Sequence, residues 1–291
     1  DEVLARADVI LAVGCRFASM STRRWRNVNP NAILIHVDID PENIGRNYPT
    51  KISIVGDAGK VLRLMLEEAR RIKMENRRRR EWLDFLNSAK ERWRGSKWFA
   101  RGGSKDAPLK PQRVYMEIRR FLDRNAVFTL DAGNNKLWAS TFLEIYEPCT
   151  WIQSGCFGPM GYALPAAIAC KLASPSRTVV ALCGDGGFYM SLHELSTSIQ
   201  EEAPIIVCIL NDMALGTIKH RQRVSYGGRF ISVDFKNPDF ASVAEAFGCV
   251  GLEARTLDQL RSSLKEGVQE SKKGETVVIN IYIDGDEPLP P

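Results

Sequence analysis

The strand-length segments of this chain are almost wholly apolar, and each stops at glycine, aspartate or asparagine. They run from Ala7 to Val13 (ended by Gly14), Ala32 to Ile39 (Asp40-Pro41), Ile52 to Val55 (Gly56-Asp57), Ala126 to Leu130 (Asp131-Ala132-Gly133), Arg177 to Cys183 (Gly184) and Pro204 to Leu210 (Asn211-Asp212). A last strand is predicted over Thr276 to Ile283. A strand that alternates apolar and polar residues keeps one face in water. A strand without alternation is buried on both faces, which happens in parallel sheets covered by helices on each side. Helical patterns over Val114–Leu122, Leu164–Ala173, Leu192–Gln200 and Val243–Phe247 supply the crossovers, which run right-handed between parallel strands. The predicted fold class is therefore α/β: a doubly wound parallel-sheet domain preceded by a partial α/β domain.

The organisation follows from the same pattern. Residues 1–100 hold the first strands and then a highly charged helical stretch, in which Trp82, Phe85, Leu86 and Trp93 mark one apolar face. Gly102-Gly103-Ser104 through Pro111 reads as a linker, placed at residues 101–111. Residues 112–291 form the second domain. The first piece is too small to bury both faces of its sheet, so further chain is expected to cover it.

Composition excludes several classes. No run approaches the ~20 apolar residues of a membrane helix, and no secretory signal is seen at Asp1-Glu2-Val3-Leu4. The net charge of +5 is concentrated near Arg77-Arg78-Arg79-Arg80. Without aromatic residues interleaved with the basic ones, this reads as a solvated helix face and not as a nucleic-acid site. The seven cysteines show no metal-ligand spacing, and Cys15, Cys170, Cys183 and Cys208 sit in or beside apolar segments. That usage suits a reducing, cytoplasmic location.

Ligands of open parallel sheets bind outside the carboxyl ends of the strands. Two such ends are Gly184-Asp185-Gly186-Gly187 and Asn211-Asp212, with Asp185 and Asp212 separated by 27 positions. One helix and one strand fill that interval, so the two ends can lie side by side. Mg²⁺ takes oxygen ligands in near-octahedral order, commonly one or two carboxylates together with phosphate oxygens. Glycines let a diphosphate approach backbone N–H groups that cradle anions. A lone Gly-Asp-Gly is common; joined to a second acidic strand end at this spacing it is far more specific.

The segment Gly184 to Asp212 resembles the thiamine-diphosphate motif, Gly-Asp-Gly followed after about thirty residues by Asn-Asn. Ser154-Gly155-Cys156-Phe157-Gly158-Pro159-Met160-Gly161 with Leu164-Pro165-Ala166-Ala167 is similar to the cofactor-pocket stretch of acetolactate synthases. Asp131-Ala132-Gly133-Asn134-Asn135 resembles their diphosphate-contacting turn. Gly14-Cys15-Arg16-Phe17, Asp38-Ile39-Asp40-Pro41 and Gly56-Asp57-Ala58 resemble the second half of their central domain.

The resemblance implies a thiamine-diphosphate- and Mg²⁺-dependent enzyme acting on 2-ketoacids by decarboxylation with carboligation. Asp185, Asp212 and the backbone carbonyl of Ala214 would hold Mg²⁺, Asp212 standing where the family has its second Asn. Asn134 and Asn135 would contact the diphosphate, with Gly184, Gly186, Gly187, Leu215 and Gly216 around it. Met160, which taken alone is an ordinary core methionine, matches the wedge between the two cofactor rings, and the carbonyl of Gly158 would accept from the 4′-amino group. The family's catalytic glutamate belongs to a separate N-terminal pyrimidine domain, so no catalytic residue is assigned here. The resemblance implies that this chain alone is inactive. A second copy in a homodimer or tetramer, or a partner chain, would supply the pyrimidine domain.

Three departures bear on substrate and cofactor. The family's acidic residue and Arg after Arg16-Phe17 are Ala18 and Met20 here, so FAD is not expected in this chain. The family's Trp nine positions past the second metal ligand is Arg221, which with His220 is a candidate for substrate contact. A 2-ketoacid decarboxylase or oxidase of the same superfamily, or a non-catalytic cofactor-binding and assembly module, is the alternative.

Overall fold

The computed structural model describes residues 1–290 except Met20, residues 73–76 and Cys156, and the side chains of residues 77–79 are also outside the description. The Met20 and Cys156 positions and most of the arginine run therefore lie outside the described residues. The chain divides into two compact units, Asp1–Gly95 and Ser96–Pro291.

In the first unit, helix α1 (Glu2–Arg6) precedes strands β1 (Val9–Val13), β2 (Ile33–Asp38) and β3 (Ile52–Val55), which pair in that order, all parallel. Helices α2 (Ala58–Arg71) and α3 (Arg77–Arg94) follow. Ala12 and Leu34 pack on Phe17, whose ring meets His36 and Tyr48 edge-on. The opposite face of the sheet is open: Val9, Leu11, Ile33 and Ile52 are all 45–51% exposed. Three strands with this little chain leave one apolar face uncovered, as the sequence led us to expect.

The second unit opens with α4 (Lys97–Ala100), α5 (Pro111–Phe121), β4 (Val127–Leu130), α6 (Asn134–Phe142) and β5 (Trp151–Gln153). There follow α7 (Ala163–Ala173), β6 (Val179–Gly184), α8 (Asp185–Ser191), α9 (Leu195–Gln200), β7 (Ile206–Asn211) and α10 (Gly216–Ser225). The unit closes with α11 (Phe240–Ala246), β8 (Val250–Ala254), α12 (Leu257–Lys273) and β9 (Val277–Tyr282). The six strands form one parallel sheet in the order β5-β4-β6-β7-β9-β8. Ala163, Leu164 and Ala167 of α7, Phe188, Leu195, Phe240 and Ala244 cover Val179, Ala181, Val207 and Ile209 on one face. Helices α5, α6 and α12 lie on the other, with Arg119 over Phe128 and Gly267 close to Val277 and Ile279. Burial on both faces removes each Val or Ile of β6 and β7 from water, about 1.5–3 kcal/mol apiece. The fold is doubly wound α/β, as expected.

Residues 101–111, expected as a linker, carry contacts of their own. Leu109 is buried and bridges to Ile283, Gly102 is buried, and its carbonyl accepts from Arg113. Strand β8 and helix α12 were not anticipated. The helix is capped at both ends, by a Thr256–Gln259 capping box and by Gly274 at φ 104°.

Candidate functional site

The chain leaves β4 toward β5 on one side and β6 toward β7 on the other. The loops after β4 and β6 therefore diverge, and a crevice opens between them at the carboxyl ends of the strands. A cavity of about 280 Å³ occupies this place. It is lined by Gly133, Asn134 and Asn135 after β4, Gly184–Gly187 after β6, and Asp212 and Ala214–Gly216 after β7, with Met160 from the loop before α7. Ile283, Asp284, Gly285 and Glu287, beyond β9, form a further wall.

The carboxylates carry the electrostatics. Asp185 is 1% exposed, accepts from the Gly186 N–H at 2.9 Å, and burial raises its pKa. Asp212 is pushed up to about 7, first by burial and then by the charge of Asp185. A carboxylate whose ionisation is disfavoured by a neighbouring carboxylate is stabilised in its charged form by a cation between them. Among the described residues no group of three or more His, Cys, Asp or Glu side chains could hold a metal. Two hard carboxylates fit Mg²⁺, which completes its shell with carbonyl, phosphate and water oxygens.

Backbone geometry provides room for an anion. Gly133 turns at φ 107° into α6, and α6 and α10 both begin at the cavity, so their unpaired N–H groups gather there. A Cβ on Gly216 would stand 2.6 Å from Asp212 Oδ2 and 3.0 Å from Asn134 Nδ2, so a side chain there would displace the Asp212 carboxylate. At Gly186 it would meet Leu215 Cδ2 at 3.1 Å and Met160 Cε at 3.2 Å, which places the tip of Met160 at the loop after β6.

Asp131 is a tether that the sequence reading treated as part of a turn. It is 1% exposed; Oδ1 accepts from Ala132 N (2.8 Å) and Gly161 N (3.0 Å), and Oδ2 from Ala163 N (3.0 Å). These bonds fix the loop that carries Met160 against the end of β4.

Other expected residues are placed differently. The carboxamide nitrogen of Asn135 donates to the Leu182 carbonyl at 3.1 Å, a tie between strand ends, while Asn134 Oδ1 accepts from Thr217 Oγ1 at 2.8 Å. Gly158, at φ 61°, is exposed and outside the cavity lining, its N–H donating to Ser154 Oγ at 3.2 Å. His220 and Arg221 lie on α10 outside the lining as well; His220 is half-buried and Arg221 exposed. Burial, then Arg223, lowers the pKa of His220. Glu287 does line the cavity, but Arg101, Lys110 and Gln112 all engage its carboxylate. Sequence reasoning missed Asn237, which touches Asp185, and the wall beyond β9. The wall carried the same signal as the other strand ends, Ile283-Asp284-Gly285.

Comparison with known proteins agrees with this geometry. Residues 131–281 match the family described as thiamine pyrophosphate enzyme, C-terminal TPP binding domain, and residues 1–65 match the central domain of thiamine pyrophosphate enzymes. The chain is 35% identical over 291 residues to the acetolactate synthase isozyme 3 large subunit of Escherichia coli (strain K12), covering 98% of this chain and 49% of that protein. It is 34% identical to a probable acetolactate synthase large subunit of Methanocaldococcus jannaschii, covering 99% and 48%. To the acetolactate synthase large subunit of Corynebacterium glutamicum it is 32% identical, covering 97% and 45%. It thus spans about half the length of the curated relatives it matches. With the binding-domain match extending from the β4 strand end into β9, through the strand ends after β4, β6 and β7 that line the cavity, the chain belongs to the thiamine pyrophosphate enzyme family.

Proposed function

We propose that this chain forms the diphosphate- and Mg²⁺-binding part of a thiamine-diphosphate-dependent enzyme of the acetolactate synthase type that acts on 2-ketoacids. The observation that carries this reading is the pair of Asp185, buried, and Asp212, half-buried, in a cavity whose walls include glycines and two helix starts. Asp185, Asp212 and the Ala214 carbonyl hold Mg²⁺, while the N-termini of α6 and α10 receive the diphosphate. Met160, held by the Asp131 tether, supports the organic part of the cofactor. When bound, the cofactor supplies the electron sink that lets a 2-ketoacid lose carbon dioxide.

Of the described carboxylates that line the cavity, Asp185 and Asp212 serve the ion, Asp284 is paired with Lys110, and Glu287 is committed to three partners, which leaves none for the pyrimidine. That role falls to a pyrimidine domain elsewhere in the assembly, in a homodimer, a tetramer or a partner chain. Anchoring the diphosphate binds ground state and transition state alike, so the anchor by itself does not accelerate the reaction. Calorimetry with thiamine diphosphate should show Mg²⁺-dependent binding that Asp185→Ala abolishes; equal affinity in the variant would sink the assignment. Product analysis with pyruvate separates acetolactate formation from simple decarboxylation or oxidation.

A further inference from the structure

Asn237 lies 52 positions from Asp185 and 26 from Asn211 in sequence, on the segment before α11. Its carboxamide nitrogen donates to Asp185 Oδ2 at 2.7 Å and to Asn211 Oδ1 at 2.8 Å. The orientation is forced. An ionised carboxylate only accepts, and so does the Asn211 oxygen, which already takes the Met213 N–H at 3.1 Å. Asn211 in turn donates to Asn280 Oδ1 at 3.0 Å, so a polar chain runs from the core to the cavity. The orientation leaves Asn237 Oδ1 buried without a partner. An orphaned buried acceptor of this kind calls for an explanation.

We propose that Asn237 is a positioning residue that sets the spacing of the two carboxylates for Mg²⁺; this rests on the cofactor reading above. One NH₂ group joins the loop bearing Asp185 to the turn bearing Asp212 and Ala214, a turn that passes through Met213 at φ 53°. Two carboxylates that line one cavity repel, and the Asn237 bonds oppose their separation. The two divergent N–H bonds of Asn237 hold both strand ends in place before the ion arrives. Such preorganisation lowers the cost of binding, and residues that orient metal ligands typically govern metal affinity by about 10–100-fold.

The test is calorimetric titration of Mg²⁺ into the intact protein at saturating thiamine diphosphate, beside thermal melting without ligands. Asn237→Leu keeps the volume and removes both donors; Mg²⁺ affinity should fall at least about tenfold. Asn237→Ser, which retains one hydroxyl donor, should lose less and serves if the leucine variant does not fold. Asn280→Leu breaks the core end of the chain and leaves the Asp185 bond intact. It should shift the melting point and lower Mg²⁺ affinity less than Asn237→Leu, because Asn280 reaches Asp185 only through Asn211 and Asn237. A wild-type Mg²⁺ affinity in folded Asn237→Leu or Asn237→Ser, or an equal loss in Asn280→Leu, would overturn the inference. Failure of the unsubstituted protein to bind would overturn the cofactor reading and this inference with it.

Discussion

The two units are built from the same kind of strand and end those strands in the same kind of loop, yet among the described residues it is the C-terminal unit whose strand ends line a cavity. In the C-terminal unit, helices cover both faces of the sheet, and Val179–Cys183 and Ile206–Leu210 are at most 2% exposed. In the N-terminal unit, Val9 is 51% and Leu11 45% exposed. The strand-end aspartates differ in their neighbours, not simply in exposure, since Asp38 is itself only 6% exposed and Asp212 is half-buried. Asp38 lies below the usual carboxylate range, chiefly because it accepts the Asp40 N–H, whereas Asp212 rises to about 7 through burial and the nearby Asp185. Composition of a strand end does not make a site; a second carboxylate brought beside the first does.

The sharpest way to break this comparison is to remove one aspartate from each unit. Asp185→Ala should eliminate measurable Mg²⁺-dependent cofactor binding in calorimetry, a loss beyond about a hundredfold, because a buried ligand and half of the counter-charge vanish together. Asp38→Ala should leave that affinity within about twofold. Equal losses in both would show that the units do not differ as described.

The raised pKa of Asp212 gives a second lever. The folded state binds this proton more tightly than the unfolded chain, with its value near 3.8, so the group costs no stability below that value. It penalises the ligand-free protein increasingly as pH rises to about 7. Mg²⁺ needs the ionised form. Apparent Mg²⁺ affinity should therefore climb about tenfold per pH unit below pH 7 and level off above it, with matching proton release in buffers of different ionisation enthalpy. Asp212→Asn should bind with a flat profile and only mild loss; a wild-type slope in that variant would remove Asp212 from the ion's shell.

Smaller effects test packing. A Cβ on Gly187 would stand 2.7 Å from Asp131 Oδ1. Gly187→Ala should cost about 1–3 kcal/mol in chemical denaturation, and it should also weaken cofactor binding by disturbing the loop of Met160. On the open sheet, Val9→Thr should cost no more than about 0.5 kcal/mol, against about 1–3 kcal/mol for Val207→Thr, whose hydroxyl enters a dry core. A large cost at Val9 would mean that the exposed face is covered in solution, and light scattering would then show association.

Legibility in the sequence varied from residue to residue. Gly184-Asp185-Gly186-Gly187 and Asn211-Asp212 were found because the signal is local: an apolar run, a glycine, a short acidic side chain. Met160 was found through its register with that motif. Helix α12 was legible but overlooked, since Thr256, Gln259, Lys272, Lys273 and Gly274 mark both its ends. Strand β8 was harder, because Val250-Gly251-Leu252-Glu253-Ala254 forms an edge with only Ala254 buried. Gly158 lies exposed outside the cavity lining, a position that a loop's composition does not determine.

What the sequence determined by itself was therefore the class of fold, the places where strands end, and the chemistry that short acidic residues and glycines offer there. These are consequences of side-chain periodicity and of backbone freedom within a few residues. The tertiary structure decided the order β5-β4-β6-β7-β9-β8, the commitment of Asn135 to Leu182, the engagement of Glu287 by Arg101, Lys110 and Gln112, and the bracket of Asn237 between Asp185 and Asn211. Each of these depends on which segments, tens of residues apart, become neighbours when the sheet buries both faces. Nothing in the local pattern around Lys236-Asn237-Pro238 beyond a turn signal encodes that meeting.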